Sequence, residues 1–555
     1  EGGEAELRFK FKILPKLGAA NIVFSAEHNG IDASRSASLS VRPVTTYRSD
    51  FSAGFNKNGD VTVELSRQLF EPLASQHISA STSPLVLVDG LHDYLENYPH
   101  GCTEQVVSQV FPRIGLMSHI GWQDQQAQLQ EHFDQVLLKL RQRQLSEGGF
   151  SFWPGNSSVS EYPTVYAAHF LLEAKELGFA VPNDILERLE SYLTFYVGQQ
   201  SSDLEQARVR ANAIYLLTRM GKVTTNYLVE LQEYLEKNYA KTWRKDLTAS
   251  YMAATYLLLK QNDQAEQLID SYVVAANTKN IYGDFDSALT QNAQHIYLLA
   301  RHFESKAKAL NYSVISEFIK PIFEGRYNTI AASYSVLALS AYASITENSD
   351  VDAAIEFMAQ SNSGQQVLTR ESAPFAQANY DTDTTAITVK GEDGLYYVNV
   401  QTGFDHQSPT SAVKEGVEVT RTFYDKTGKA VDTIKQGAEL DVVIRVRALN
   451  NKTLSNIAVI DLLPGGFEVV RNSINNAQTY NSDLAFNNID YVDVREDRVV
   501  YYGRFNSAIT ELKYKVKATA AGTFTVPSTT AESMYDRSVK AISESRNFKV
   551  LAAQP

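Results

Sequence analysis

The chain has one cysteine, Cys102, in 555 residues, so it can form no intramolecular disulfide. Cysteine usage by itself therefore assigns no redox compartment. Cations are outnumbered: 51 Lys and Arg face 64 Asp and Glu, a formal charge of −13. That balance argues against nucleic acid or an anionic membrane as the main partner. No apolar run approaches the length that spans a bilayer. The first residues, Glu1-Gly2-Gly3-Glu4, are neither an initiator methionine nor a signal peptide. They lead us to expect a mature chain or, in preference, the C-terminal part of a longer one. No two carboxylates stand out as a pair, which counts against a glycosidase. A Cys-His hydrolase would need a histidine brought to Cys102 from elsewhere.

What is present fits a globular protein of several domains. The chain is too long for one core, and 44% hydrophobic with 21% charged residues is ordinary. Near the start, Leu7, Phe9, Phe11 and Ile13 alternate with Glu6, Arg8, Lys10 and Lys12, the period of a half-buried strand. Asn29-Gly30 is a turn signal. Val61, Val63 and Leu65 continue the β pattern, which stops and resumes only after about residue 365. There, Ile387 and Val389 on one side and Tyr396, Val398 and Val400 on the other flank Gly391-Glu392-Asp393-Gly394, a hairpin signature. One β domain interrupted by an insertion is the economical reading.

The insertion is helical. Segments 166–174, 211–217, 252–259, 293–300 and 332–339 share a small-then-bulky pattern recurring roughly every 40 residues, with more charged helices such as 184–193 between them. With 106–118 as the first inner helix, the count is six pairs, as in an α/α toroid. The last segment returns to β: Val442, Ile444 and Val446 alternate, as do Leu512, Tyr514, Val516 and Ala518, and Pro464-Gly465-Gly466 makes a turn.

A lone cysteine is ordinarily a small buried hydrophobe. Its neighbours here point elsewhere. Residues 98–112 read YPHGCTEQVVSQVFP, with Pro99 and Gly101 marking a turn before a helical pattern. Cys102 and Gln105, three apart where the helix begins, share one face. A thiolate held against a carboxamide carbon can attack it and expel ammonia, giving an internal thioester. Placement supplies most of the drive, and a helix N-terminus favours both the thiolate and the developing oxyanion. The product is an acyl group with Cys102 as its leaving group.

Gly101-Cys102-Thr103-Glu104-Gln105 resembles the GCxEQ thioester motif of the α2-macroglobulin and complement family. Residues 143–145 (RQL) and 148–155 (GGFSFWPG) resemble the segment that follows the thioester in bacterial members. Thr103 stands where many animal members have Gly, a position that tolerates a small polar residue. The resemblance implies a multidomain all-β plus all-α fold, with an α/α toroid thioester domain inserted in a CUB-like β domain and flanked by macroglobulin-like β-sandwich domains. Its boundaries would be 1–45 for the end of a macroglobulin-like domain, 46–84 and 366–410 for the two CUB-like parts, 85–365 for the thioester domain, and 411–555 for the C-terminal receptor-binding-like sandwich.

The function implied is broad-spectrum, single-use covalent protease inhibition rather than turnover catalysis, with no cofactor and no metal. A bait region outside this chain would be cleaved, exposing the thioester to a lysine of the attacking protease. The expected partners are those proteases and, as in some bacterial relatives, a peptidoglycan synthase; a monomer is expected, in the periplasm, with lipid anchoring through a missing N-terminus. The alternative is an opsonin-like or adhesive module that couples to surface nucleophiles. Hydroxyl-preferring relatives carry a histidine on a later loop of the thioester domain, and the corresponding stretch here, 201–222, has none, which favours amine acceptors. His169 and His295 read as core histidines, and His100 as a bystander. A thioester must be kept from water, and Tyr98, Met534 and Tyr535 are the candidate shield, against their plainer role as core or interface side chains. Glu104 reads as an acidic first-turn residue balancing the helix dipole, and Trp153-Pro154-Gly155 as a packed loop.

Overall fold

The computed structural model describes residues 7, 9, 11, 14, 16–57, 59–117, 126–275, 285–346, 354–371, 375–391, 393–409, 411–474 and 488–553. Most of the alternation at residues 6–13 lies outside them. Strands β1 (Gly18–His28) and β2 (Ile31–Val41) pair antiparallel. Asn29 (φ 52°) and Gly30 (φ 77°) join them, both in the left-handed region a two-residue hairpin loop requires.

Three strands precede the helices: β3 (Arg48–Asn56), β4 (Val61–Glu64) and β5 (Ser75–Ser81). Five follow them: β6 (Glu356–Ser361), β7 (Gly364–Val367), β8 (Ala376–Asn379), β9 (Thr384–Lys390) and β10 (Leu395–Gly403). They form two sheets, ordered β3-β10-β5-β8 and β4-β9-β6-β7, each drawing on both flanks of the helical region. The hairpin expected around residues 391–394 is corrected. β9 and β10 lie in different sheets, because β10 pairs on both edges with β3 and β5 and leaves no edge for β9. The turn instead passes between layers, over a shared core of Ile78, Phe357, Ile387, Val389 and Leu395.

The helical region opens with α1 (Leu87–Glu96), whose Gly90 lies so close to the sheet that a Cβ would come within 2.6 Å of Phe51. Asp89 and Asp93 fix this helix by accepting hydrogen bonds from His77 and Ser79, and from Ser49 and Thr402. Next come α2 (Thr103–Ser108) and α3 (Phe111–Leu116) where one helix was expected; Pro112 has no N–H for the Ser108 carbonyl, so the helix breaks. Then follow α4 (Gln126–Arg143), α5 (Glu161–Glu176), α6 (Asn183–Val197), α7 (Leu204–Arg219), α8 (Thr225–Tyr239), α9 (Leu247–Leu258), α10 (Asn262–Ile269), α11 (Ala288–His302), α12 (Glu304–Lys308), α13 (Tyr312–Phe323) and α14 (Thr329–Thr346).

The segments with the small-then-bulky pattern are the buried helices α5, α7, α9, α11 and α14, while α6, α8 and α10 bury one stripe only. Each buried helix packs on the next, α5 on α7, α7 on α9, α9 on α11 and α11 on α14. The path closes through α2 and α3, which touch both α14 and α5. Their alanines permit that close approach: Ala167, Ala168, Ala253, Ala254, Ala293, Ala331 and Ala332 are all buried. One expectation needs correcting. By length and composition α14 is apolar enough to cross a membrane, but 72% of that stretch is buried inside the protein, as in the core helix of a globular domain.

The C-terminal part is a β sandwich of β11 (Val413–Glu415), β12 (Val417–Tyr424), β13 (Thr433–Lys435), β14 (Glu439–Ala448), β15 (Leu454–Leu462), β16 (Phe467–Val469), β17 (Ile489–Val494), β18 (Arg498–Phe505), β19 (Thr510–Ala518), β20 (Gly522–Val526), β21 (Thr529–Ser533), β22 (Lys540–Ile542) and β23 (Arg546–Leu551). A sheet ordered β11-β22-β21-β15-β18-β17 faces one ordered β12-β14-β19-β16, with β13, β23 and β20 in a third. Arg421 of β12 is buried against Asp461 of β15, which also accepts from Tyr514 (2.6 Å) and Thr529 (2.8 Å), so one satisfied polar cluster ties the two larger sheets together.

Candidate functional site

The turn before α2 places Cys102 as its N-cap, in extended backbone (φ −65°, ψ 169°), and Gln105 at the third helical position. The Cys102 N–H donates to the Gln105 side-chain oxygen at 3.1 Å, and the Cys102 sulfur accepts the Gln105 backbone N–H. This reciprocal capping box folds the carboxamide back onto the Cys102 main chain. Sequence spacing and observed geometry agree. Cys102, Thr103, Glu104 and Gln105 are all buried.

Neighbouring segments hold the turn rigid. Thr103 N–H donates to the Phe152 carbonyl (2.9 Å) and its hydroxyl to the Ser151 carbonyl (2.6 Å). Arg143, at the end of α4, donates to the Thr103 hydroxyl (3.1 Å) and the Gly101 carbonyl (2.9 Å). The two blocks of sequence singled out above therefore meet in space. Gly101 itself is not demanded by space, since a Cβ there would meet nothing within 4 Å.

The roof comes from the C-terminal sandwich. The Tyr535 hydroxyl lies 3.4 Å from the Cys102 sulfur, and the Gln105 amide donates to the Met534 sulfur at 3.4 Å. Tyr98 donates its hydroxyl to the Met534 carbonyl (2.9 Å), and Asn328 reaches the Tyr535 carbonyl (3.4 Å). Tyr98, Met534 and Tyr535 thus converge on one spot from positions more than 400 residues apart. Phe285 meets the Tyr535 ring edge-on at 5.1 Å.

Other expectations change. His100 is no bystander: its ring nitrogens lie 2.9 Å from Glu532 and 3.2 Å from the Tyr502 hydroxyl, which makes it a docking residue between domains. Burial opposes ionisation of Glu532, but the hydrogen bond and charge of His100 hold it below the usual carboxylate range. His169 sits among Tyr297, Tyr334 and Glu173, and His295 on Ser250, as core histidines do. Trp153 is a packed residue, stacked on Tyr491 (5.0 Å) and against Tyr502 (4.3 Å). Glu104 does not stand at the surface of a helix end. It is buried and accepts from Ser108, Thr329 and Tyr535. Its carboxyl is pushed up to about 7 by desolvation, which those three hydrogen bonds only partly offset. Burial and the neighbouring Glu104 likewise push the Cys102 thiol far up.

Sequence reasoning missed Arg143 and Arg537. The first lay inside a quoted block; the second gave no periodic signal. Arg537 lies over the rings of Tyr327 (4.6 Å) and Tyr94 (5.2 Å), with Asp50 at 3.7 Å, two residues beyond Tyr535.

Among the described residues no group of His, Cys, Asp and Glu is arranged to hold a metal. The family model for the bacterial α2-macroglobulin MG10 domain matches residues 416–537, the part of the sandwich that carries Met534 and Tyr535. The α2-macroglobulin homolog of Yersinia pestis is 32% identical over 98% of this chain, and the α2-macroglobulin of Rickettsia conorii 30% over 97%.

The chain belongs to the bacterial α2-macroglobulin family.

It spans 29% of the length of each of those two relatives. Native α2-macroglobulin from Escherichia coli, solved from domain MG7 to the C-terminus, superposes over 97% of this chain and 88% of its own with a TM-score of 0.77 at 20% identity. Salmonella α2-macroglobulin reacted with methylamine covers 96% of this chain and 36% of its own, at a TM-score of 0.74 and 19% identity. The fold is that of the family: helices and sheets together, with macroglobulin-like domains.

Proposed function

We propose that Cys102 and Gln105 form an internal thioester, and that this chain is the reactive part of a single-use protease inhibitor. One observation carries the reading. A cysteine and a glutamine hydrogen-bonded to each other are sealed beneath Met534 and Tyr535, residues of a separate domain. A core cysteine needs no such arrangement, whereas an acyl group that water would destroy does.

In this reading the helical region is an α/α toroid inserted in a CUB-like domain, and Tyr98, Met534 and Tyr535 are the shield. Cleavage of a bait region elsewhere in the protein moves the C-terminal domain off the site. A lysine amine of the protease then attacks the Gln105 acyl carbon, the new amide forms, and Cys102 leaves as the thiol. No histidine on residues 201–222 assists a hydroxyl, so amines are the acceptors. The periplasm is the compartment in which such a trap meets foreign proteases. The family relationship supports protease trapping, and the Salmonella relative reacted with methylamine supports an amine-sensitive site.

Intact mass with and without methylamine, paired with thiol titration, tests the bond. We expect a chain lighter than its sequence by one ammonia, with no titratable thiol until methylamine is added. A Cys102→Ala protein that still forms heat-stable conjugates with a protease would refute the mechanism.

A further inference from the structure

Glu104 is the charged residue of the motif that the capture reaction leaves unused. It faces the seam between domains and accepts hydrogen bonds from Ser108, from Thr329 at 2.9 Å and from Tyr535 at 3.0 Å. Among the described residues no Lys, Arg or His forms an ion pair with it. The ionisable groups whose fields it meets are the phenols of Tyr94 and Tyr98, those of Tyr162 and Tyr166 on α5, Tyr535, and the Cys102 thiol. Arg143 of α4, the nearby cation, is engaged by Thr103 and Gly101.

The Tyr535 hydroxyl stands between two reactive ends, 3.0 Å from the Glu104 carboxylate and 3.4 Å from the Cys102 sulfur. On the other side, the Cys102 N–H already points at the Gln105 oxygen, 3.1 Å away. That is where a tetrahedral adduct would carry its negative charge.

Resting on the thioester reading above, we infer that Glu104 is the proton acceptor for closure of the Cys102–Gln105 bond, with the Tyr535 hydroxyl as relay and the Cys102 N–H as oxyanion donor. The thiol proton passes to the Tyr535 oxygen as the Tyr535 proton passes to Glu104. The thiolate attacks the Gln105 carboxamide carbon, the C–S bond forms, and the carbonyl electrons move onto the oxygen. When they return, the C–N bond breaks and the nitrogen leaves as ammonia, carrying the proton that Glu104 gives back. One thiol and one carboxamide yield one thioester and one ammonia, and Glu104 ends as it began. A thiol pushed this far up by burial does not ionise unaided, and a carboxyl pushed up to about 7 is a stronger base than an ordinary carboxylate for taking its proton as the C–S bond forms. Because Tyr535 belongs to the C-terminal domain, closure runs only with that domain docked, where water is already excluded.

Ammonia is the reverse reagent: it opens the thioester and restores Cys102 and Gln105. After its removal, reclosure of the full chain is followed by intact mass and thiol titration across pH. We expect the native rate to rise with pH through a midpoint near 7 to a plateau above it. Glu104→Gln should close roughly 100-fold more slowly and lack the step. Tyr535→Phe should share that defect, and Glu104→Asp should recover part of the rate together with a step. Melting at pH 5, where Gln replaces a protonated carboxyl like for like, identifies a misfolded variant, and Tyr535→Phe then carries the test. A Glu104→Gln protein with native rate and profile overturns the inference, as does a slow one that keeps the step. Native protein that never loses ammonia overturns the thioester reading itself, a result visible without any variant.

Discussion

At the scale of single residues, the site runs on burial. Cys102, Glu104 and Gln105 would each be unremarkable on a surface, and each is altered by losing water. Glu104 gives a measurable consequence. Its carboxyl rises from 4.5 to about 7 on folding, so the folded chain holds a proton that the unfolded chain releases between those values. Stability contributed by that proton is complete below 4.5, falls as pH rises through the window, and is absent above 7. The shift corresponds to about 3 kcal/mol of penalty for the ionised group. Glu104→Gln should therefore melt like the native chain at pH 5 and several degrees higher at pH 8, as read by differential scanning calorimetry. Equal differences at both values would show that the carboxyl ionises freely in the folded state.

The relevant elements are short and irregular, and their precision comes from what they touch. The loop of residues 148–155 reaches the thiol turn only because Gly148 (φ 93°) passes against α6, where a Cβ would sit 2.0 Å from the Arg188 carbonyl. Gly148→Ala combines a left-handed backbone with a clash against main chain, and we expect it to cost more than about 2 kcal/mol in urea unfolding. Gly101→Ala, in open space with ordinary backbone, should lie within about 0.5 kcal/mol of the native chain. The motif's own glycine is thus the more replaceable of the two. The sequence made the opposite seem natural, because position in a motif is visible there and clearance is not.

For the whole molecule, one continuous apolar cluster joins the helical region to Val398 and Val400 of β10 and to Ile460, Tyr502, Met534 and Tyr535 of the sandwich. Trp153 stacks on Tyr491 within it, and polar anchors rim it: His100 to Glu532, and Arg537 over Tyr94 and Tyr327. In the proposed reading, these contacts hold the roof closed. An exposed cation over two rings contributes on the order of 1 kcal/mol, so Arg537→Gln should open the roof roughly fivefold more often. Consumption of the site by methylamine would quicken accordingly, with helical circular dichroism unchanged. A native methylamine rate in that variant would show that Arg537 does not hold the loop.

The sequence by itself determined the local matters. Period-2 and small-then-bulky patterns marked strands and buried helices, because side-chain direction follows from backbone geometry alone. Three-residue spacing at a helix start brought Cys102 and Gln105 together for the same reason. Only the tertiary structure decided that β9 and β10 part into different sheets, that Pro112 divides the first buried helix, and that α14 is a core helix despite its apolar length. It also decided that Glu104 loses its water and that His100 docks a domain. Each of those depends on which distant surfaces exclude water from a residue, and chain spacing carries no record of that.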